Sequence, residues 1–188
     1  MLDATTDAVV TQIKLPGGPE LALWDPFDDT IHQNLAKNNQ QAVIDPTTDT
    51  IKVVFNLPPG CTPKGAAIDP TDQHIIVGCG GAMTVIMDGG NGAILSVSNN
   101  VGGSDAVAYN AIDHRFYTAS SGNKVAGKAA PALSAFDAAT NMWLANVPTD
   151  TSVHTLAVDP ATGRVYLASQ KTGTLLVYAA GASVTQLP

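Results

Sequence analysis

Short apolar runs separated by turn residues recur along the chain at a regular interval. The phrase Leu21–Pro26, a run of small and apolar residues that ends in Asp-Pro, returns three times in altered form. The four copies are 21–26, 65–70, 106–111 and 155–160. Their Asp or Asn positions, 25, 69, 110 and 159, are 44, 41 and 49 residues apart. This interval is the length of a four-stranded propeller blade, about 40–50 residues.

Each copy is followed by the same predicted elements in the same order. A turn with Pro or Gly comes first, and runs rich in β-branched and apolar residues then predict strands rather than helices. Small apolar residues in the first strand suit a crowded central axis, and a more polar fourth strand suits the rim. The predicted fold is therefore all-β, a β-propeller of four-stranded antiparallel blades. A β-sandwich is the alternative, but it gives no reason for a fixed period.

The predicted organisation is a single β-propeller domain over residues 1–188. Residues 1–17 are expected to supply the outer strand of a preceding or closing blade, with Val9–Leu15 as the strand. The four predicted blades are 18–59, 60–102, 103–149 and 150–188. Residues 124–135 are Ala-rich but contain Gly127 and Pro131, so we expect a long loop between the second and third strands of the third blade.

The sequence predicts four blades and a leading strand, and several arrangements could cover the exposed edges of such a propeller. The chain is either the C-terminal portion of a longer propeller or a closed four-bladed ring in which Val9–Leu15 completes the last blade. A third solution is two copies that dock edge to edge, because open strand edges promote association. The segment Ser183–Leu187 favours an open arrangement, since it already supplies an outer strand to the last blade.

Charge and hydropathy exclude several classes of partner. The chain has 9 Lys and Arg against 16 Asp and Glu, a formal charge of −7, which argues against a basic nucleic-acid surface and against adhesion to anionic lipid. No apolar run reaches the roughly 18 residues that a membrane span needs. The chain also does not open with the pattern of a signal peptide.

Three segments carry a resemblance to a known family: 41–49, 60–69 and 154–169. They resemble the YVTN-type repeat of secreted and periplasmic bacterial β-propellers, the YncE-like group. The resemblance implies a secreted or periplasmic location and a binding protein whose ligand is not defined. Typical members are seven-bladed, whereas this chain has four repeats. Some related propellers are lactonases or carry subunits of quinone enzymes.

Ionisable side chains occupy the same position in all four repeats. Five residues before each Asp or Asn stand Glu20, Lys64, Asp105 and His154. The start of each inner strand meets the mouth of the central channel, so these residues are the predicted ligand-binding ring, and convergent polar groups in a concave site are typical of ligand sites. The alternative is a solvated funnel in which charges pair, such as Lys64 with Glu20 or Asp105. His154 is the candidate base or ligand within the ring.

Two cysteines, Cys61 and Cys79, flank the first hairpin of the second blade. The hairpin places Cys79 opposite residue 64, close to Cys61, so either a disulfide or two buried free thiols is expected. His32 and His114 are expected at the surface or between blades, and the histidine spacing predicts no metal site. Asp28 and Asp29 are expected to be solvated turn residues. No cofactor is predicted, and no catalytic residue can be assigned.

Three functions are consistent with this pattern. The first is a non-enzymatic binding or scaffold protein that presents loops and a polar channel mouth to a small ligand or a protein partner. The second is a lactonase-type hydrolase that uses the acidic and His residues of the mouth. The third is a structural repeat protein that forms a homo-oligomer through open blade edges. Fold alone does not decide among them, because function belongs to sites.

Overall fold

The computed structural model describes residues 3–179 and 185–186, and it is built from antiparallel four-stranded sheets with almost no helix. The all-β propeller fold predicted from the repeats is confirmed. Four sheets follow one another along the chain, and each is made of strands that are consecutive or nearly so. The single-domain assignment and its blade ranges stay predictions.

The first two sheets have four consecutive strands each. The first contains β1 (Pro19–Asp25), β2 (Thr30–Leu35), β3 (Gln40–Asp45) and β4 (Thr50–Asn56), with the short 3-10 helix Ala36–Asn38 between β2 and β3. The second contains β5 (Pro63–Asp69), β6 (His74–Cys79), β7 (Thr84–Asp88) and β8 (Ile94–Ser98). We refer to these sheets as blades 1 and 2.

Blades 3 and 4 follow the same plan. Blade 3 contains β9 (Ala106–Asn110), β10 (Arg115–Ser120), β13 (Ala132–Asp137) and β14 (Met142–Pro148). Its second and third strands are separated by a small hairpin of β11 (Lys124–Val125) and β12 (Lys128–Ala129). Blade 4 contains β15 (Val153–Val158), β16 (Val165–Ser169), β17 (Thr174–Ala179) and β18 (Thr185–Gln186).

The loop predicted over 124–135 is shorter than expected. Residues 132–135 belong to β13, where Ala132 pairs with Ser120 and Ala135 with Tyr117. The apolar residues of this segment are buried, and their burial overrides the Ala-rich, Gly- and Pro-containing context that suggested a loop.

The inner strands of successive blades lie side by side about a common axis: β1 packs beside β5, β5 beside β9, and β9 beside β15. Successive side chains of a strand point to opposite faces of the sheet, so each blade can pack against a neighbouring blade on either face. Ile75 and Val77 of β6 pack toward blade 1, whereas Ile76 between them packs against Phe116 of blade 3. A third apolar layer between blades 3 and 4 contains Tyr117, Leu133 and Leu167.

The two ends of the chain are described in part. Val9 forms a β-bridge, and the described residues 10–15 carry no strand, so the assignment of Val9–Leu15 to a neighbouring blade stays a prediction. At the other end β18 pairs with β17, through Gln186 with Tyr178 and Thr185 with Ala179. Of the predicted outer strand 183–187, the residues 183, 184 and 187 lie outside the described residues.

In the part of the chain that the structure describes, blades 1 and 4 each have one face against which no strand of another blade packs. Within residues 3–179 and 185–186, no strand of blade 1 packs along a strand of blade 4. Trp24, on the side of β1 away from blade 2, is 50% exposed. Leu175 of blade 4 is 59% exposed. Large apolar side chains at this exposure are available for contacts beyond the four blades.

Candidate functional site

The four residues of the predicted channel mouth lie at one end of the inner strands. Glu20 is the second residue of β1, Lys64 the second residue of β5, and His154 the second residue of β15, while Asp105 stands directly before β9. Because the inner strands lie side by side, these residues lie at the same end of the row of inner strands. The structure brings them together as two separate pairs, each of which joins two neighbouring blades.

The first pair joins blades 1 and 2. Lys64 Nζ donates to Glu20 Oε1 at 2.7 Å, and both side chains are about one third exposed, at 31% and 34%. The charge pairing considered as the alternative to a ligand site is therefore present here. An exposed pair of this kind contributes about 0–1 kcal/mol, so a ligand can replace either partner at little cost.

The second pair joins blades 3 and 4. His154 Nδ1 lies 3.0 Å from Asp105 Oδ2 and 3.0 Å from Ser121 Oγ, and the His and Asp side chains are 47% and 46% exposed. In a Ser-His-Asp catalytic site the hydroxyl and the carboxylate bond to opposite nitrogens of the imidazole. Here both partners meet the same nitrogen, so this arrangement does not relay a proton from Ser121 to Asp105.

The predicted cysteine pair lies beside this mouth. Cys61 and Cys79 form a disulfide, with their Cα atoms 4.7 Å apart, and both residues are fully buried. The bridge joins the segment before β5 to the end of β6, where Pro63 pairs with Cys79. It therefore ties down the first hairpin of blade 2 at the end where Lys64 projects.

Glycines continue from the disulfide across the same end of the molecule. Gly81 N donates to Cys61 O at 3.0 Å, Gly103 N donates to Gly81 O at 2.8 Å, and Gly122 N donates to Gly103 O at 3.0 Å. A Cβ on Gly81 would collide with the carbonyl oxygen of Gly60. Glycine is required at this position because the two loops approach more closely than a side chain allows.

A cavity of about 180 Å³ lies among these loops, between blades 2 and 3. Three loops line it, and two of them supply polar side chains: Asn99 comes from the loop after β8, and Asn123 and Lys124 come from the segment after β10. These residues and Ser121 were not predicted from the sequence, because they fall outside the repeated positions and no local motif marks them. Of the predicted ring, Lys64 has its side chain beside Gly80, on the wall of the cavity.

The opposite end of the molecule is built from the repeated Asp and Asn residues. The Oδ1 atom of Asp25, Asp69, Asn110 and Asp159 accepts the backbone N–H two residues later, at 2.8 to 3.1 Å. Burial, followed by the Asp69 carboxylate of the preceding blade, raises the pKa of Tyr109 to about 12. The turn residues thus also contact the next blade.

No family model matches the chain, and no curated protein matches its sequence. Solved structures do match. Hydrazine synthase of Kuenenia stuttgartiensis has a TM-score of 0.77 and 17% identity, over 100% of this chain and 58% of that one. The fold is WD40-like. The WD40 domain of Toxoplasma gondii coronin matches with a TM-score of 0.71 and 11% identity, over 89% of this chain and 44% of that one.

A structure of the mitotic checkpoint complex matches with a TM-score of 0.79 and 12% identity, over 100% of this chain and 58% of the matched chain. This protein therefore spans about half the length of the solved structures it matches. Identities at this level show the fold alone. No helix in the described residues is long and apolar enough to cross a membrane.

Proposed function

We propose that this protein is a binding module that uses the channel-mouth end of its WD40-like propeller. The observation that carries the proposal is the position of Glu20, Lys64, Asp105 and His154, which four different blades supply to one end of the molecule. Their pairing supports a ligand that carries both a positive and a negative group. Such a ligand can replace the ion pair within the protein by two contacts of its own, one with each partner of the pair. A small zwitterionic molecule or a mixed-charge protein segment has this chemistry.

The compartment and the repeat family belong to the same proposal. The segments 41–49, 60–69 and 154–169 support a YVTN-type, YncE-like repeat. The disulfide between Cys61 and Cys79 supports an oxidising compartment, since such bonds persist in secreted and periplasmic proteins and are rare in the cytosol. We therefore propose that the protein is located in the periplasm or outside the cell.

The lactonase-type alternative requires a buried acid–base pair or a metal at the mouth. The pair of His154 and Asp105 is about half exposed, and Glu20 pairs with Lys64 rather than with either of them. A half-exposed pair of this kind suits recognition better than proton transfer, because solvent screens it. Measurement of aldonolactone hydrolysis by the full chain, and by His154→Gln, tests this alternative directly.

The binding proposal is tested with a mouth variant and a matched control. The mouth variant combines Glu20→Gln, Lys64→Gln, Asp105→Asn and His154→Gln. The control combines Lys52→Gln on the outer strand of blade 1 with Asp72→Asn in the turn after β5, both exposed residues away from the mouth. Amino acids, mixed-charge dipeptides and sugar acids are screened by thermal unfolding, and affinities are then measured by calorimetry.

We expect a mixed-charge compound to bind the wild type and the control equally and the mouth variant at least about ten-fold more weakly, a loss of about 1.4 kcal/mol. If the compound bound the mouth variant as tightly as the wild type, its binding site would lie elsewhere on the protein. The absence of binding by every compound in the panel would contradict a small-ligand role for the mouth.

Assembly through open faces is a second candidate function, which a different observation favours. Trp24 on blade 1 and Leu175 on blade 4 are each at least half exposed, on faces against which no strand of another blade packs in the described part of the chain. Apolar faces at both ends of a row of blades support head-to-tail or edge-to-edge association with a second copy.

A further inference from the structure

A chain of buried polar side chains crosses blade 1 where the other blades are mainly apolar. Asp25, His32, Asn34 and Gln41 are all fully buried. Strand register places Ile76 of blade 2 and Tyr117 of blade 3 at the position of His32. A propeller blade therefore does not need a histidine at this position, and the polar residues of blade 1 call for a separate explanation.

The hydrogen bonds along this chain determine which nitrogen of His32 carries a proton. Asn34 Nδ2 faces the carbonyl oxygens of Lys64 and Gly65 at 2.8 and 3.2 Å, and carbonyl oxygens only accept. Asn34 Oδ1 therefore accepts from Gln41 Nε2 at 2.9 Å. This leaves Gln41 Oε1 facing His32 Nδ1 at 2.8 Å, so Nδ1 is the donor.

With its proton on Nδ1, a neutral His32 presents a lone pair at Nε2. That atom lies 3.4 Å from Asp25 Oδ2, and within the described residues it makes no hydrogen bond. Asp25 is also an acceptor, since its Oδ2 takes a hydrogen bond from Gln73 Nε2 at 2.8 Å. Two buried acceptors that face each other are unfavourable unless a cation lies between them.

Asp28 completes the cluster. One oxygen of its carboxylate, His32 Nε2 and an oxygen of Asp25 all lie within 4.8 Å of one another. Asp28 is exposed, in the turn between β1 and β2. The equivalent position of blade 3 is Asp113, which accepts a hydrogen bond from Tyr117 at 2.6 Å. In blade 1 His32 stands at the position of Tyr117, and the lone pair of its Nε2 can bind a metal ion.

We propose that Asp25, Asp28 and His32 bind a divalent first-row transition-metal ion, with zinc as the reference ion. Imidazole nitrogen and carboxylate oxygen are zinc ligands, and bonds of about 2.0–2.1 Å in a tetrahedron place two ligand atoms about 3.3 Å apart. The separation of His32 Nε2 and Asp25 Oδ2, 3.4 Å, matches this value. It is longer than the about 2.7–2.9 Å of a hydrogen bond between an imidazolium and a carboxylate.

The surroundings of the cluster fit a metal ion in two further ways. Two carboxylates balance the charge of a divalent ion, which lowers the cost of holding it beside buried groups. The bond from His32 Nδ1 to Gln41 Oε1 is the outer contact that metal-binding histidines usually make, and it orients the ring. Exposure of Asp28 lets the ion enter from solvent and complete its coordination with water.

This site is independent of the binding proposal, because it lies at the other end of β1. Asp25 ends the strand whose second residue is Glu20, about 17 Å away at about 3.3 Å per residue. The sites can therefore be tested separately. The probe is Zn²⁺ added to the untagged full chain after chelator treatment, followed by calorimetry and thermal unfolding. Co²⁺ provides a visible spectrum that reports tetrahedral coordination.

We expect one Zn²⁺ per chain, a rise in the unfolding temperature with Zn²⁺, and a tetrahedral Co²⁺ spectrum. Asp28→Asn should weaken Zn²⁺ binding at least ten-fold without affecting the fold, since Asp28 is exposed. Asp29→Asn in the same turn and His154→Gln at the mouth are the matched controls and should bind as the wild type does. His32→Gln should abolish the Co²⁺ spectrum.

Two results would overturn the proposal. The first is Zn²⁺ binding that Asp28→Asn leaves unchanged or that His154→Gln removes, which would assign the ion to another site. The second is the absence of stoichiometric binding together with nitrogen chemical shifts that show His32 protonated on both ring nitrogens in the chelator-treated protein. A proton would then occupy the position that we assign to the metal.

Discussion

Gln73 of blade 2 donates a buried hydrogen bond of 2.8 Å to Asp25 of blade 1. Asp25 belongs to the repeated phrase of the sequence, and its other oxygen accepts the N–H of Phe27 within its own turn. Asn110 repeats this arrangement, since its Nδ2 donates to Gly163 O of blade 4 at 2.9 Å. The repeated residue thus shapes a turn in one blade and holds the next blade against it.

Loss of the Gln73 amide should destabilise the protein. Gln73→Leu removes a donor from the buried Asp25 carboxylate, and an unsatisfied buried acceptor costs about 1–3 kcal/mol. Urea unfolding should show a corresponding fall in the free energy of unfolding. Gln170→Leu, at an exposed position, is the control and should change it by less than about 0.5 kcal/mol. Equal effects of the two substitutions would show that the hydrogen bond to Asp25 contributes nothing.

The disulfide should account for a large part of the stability. It closes a loop between residues 18 apart in sequence, for which the chain-entropy relation gives about 3 kcal/mol. Cys61→Ala with Cys79→Ala should lower the free energy of unfolding by about 2–4 kcal/mol. Thiol labelling of the unfolded, unreduced wild type should detect no free cysteine, because the described part of the chain contains none. Two labelled thiols would refute the bridge.

The ion pair of Lys64 and Glu20 should contribute little to folding. In a double-mutant cycle of Glu20→Gln and Lys64→Gln, we expect a coupling energy of about 0.2–1 kcal/mol that decreases as salt is added. A small value agrees with a pair that is free to exchange its partner for a ligand. A coupling several-fold larger and insensitive to salt would mean that the pair is a structural element instead.

Acid should weaken the turn that Asp137 forms. Hydrogen bonds from the backbone N–H and then the hydroxyl of Thr140 lower the pKa of Asp137 from its ordinary 3.8. Its contribution is therefore present above about pH 4 and is lost as the pH falls through the lower value of the folded state. Asp137→Asn keeps an acceptor but cannot titrate. The difference in stability between wild type and variant should shrink below pH 4, and a difference independent of pH would contradict this.

The uncovered faces of blades 1 and 4 should promote self-association. Sedimentation of the wild type at increasing concentration should show dimers or larger species. Trp24→Lys should shift the distribution toward monomer, because a charge on an apolar contact face is costly to bury. Phe27→Lys is the control, since Phe27 is 62% exposed in a turn rather than on the blade face. A monomer at every concentration would contradict association through these faces.

The strands were predictable because their signals are local. Asp-Pro and Gly turns, alternating apolar residues and a repeat of forty-odd residues all act within one hairpin or one blade. The loop over 124–135 was predicted too long, since Ala132–Ala135 belong to β13, which pairs with β10 on one side and with β14 on the other. Propensity is a weaker determinant of a strand than burial against its neighbours.

The candidate sites were predictable only in part. Alignment of the repeats identified Glu20, Lys64, Asp105 and His154, but it could not show that they form two pairs, because that depends on distances between blades. It also gave no signal for Asp25, Asp28 and His32 as a cluster. Their irregular spacing matches no metal motif, and the lone pair at the buried His32 Nε2 follows from a hydrogen-bond chain that reaches Lys64 in another blade.

The sequence by itself determined the unit of this protein: four strands, the turns that join them and the residue that ends each inner strand. Only the tertiary structure decided how each unit packs against the next and which charges pair at the channel mouth. It also decided which faces stay uncovered and which buried acceptors lie opposite each other. The physical reason is the distance along the chain over which each kind of interaction acts. Turn and strand preferences act over a few residues, whereas ion pairs and ligand clusters require contacts between side chains that the packing of whole blades brings within a few ångströms.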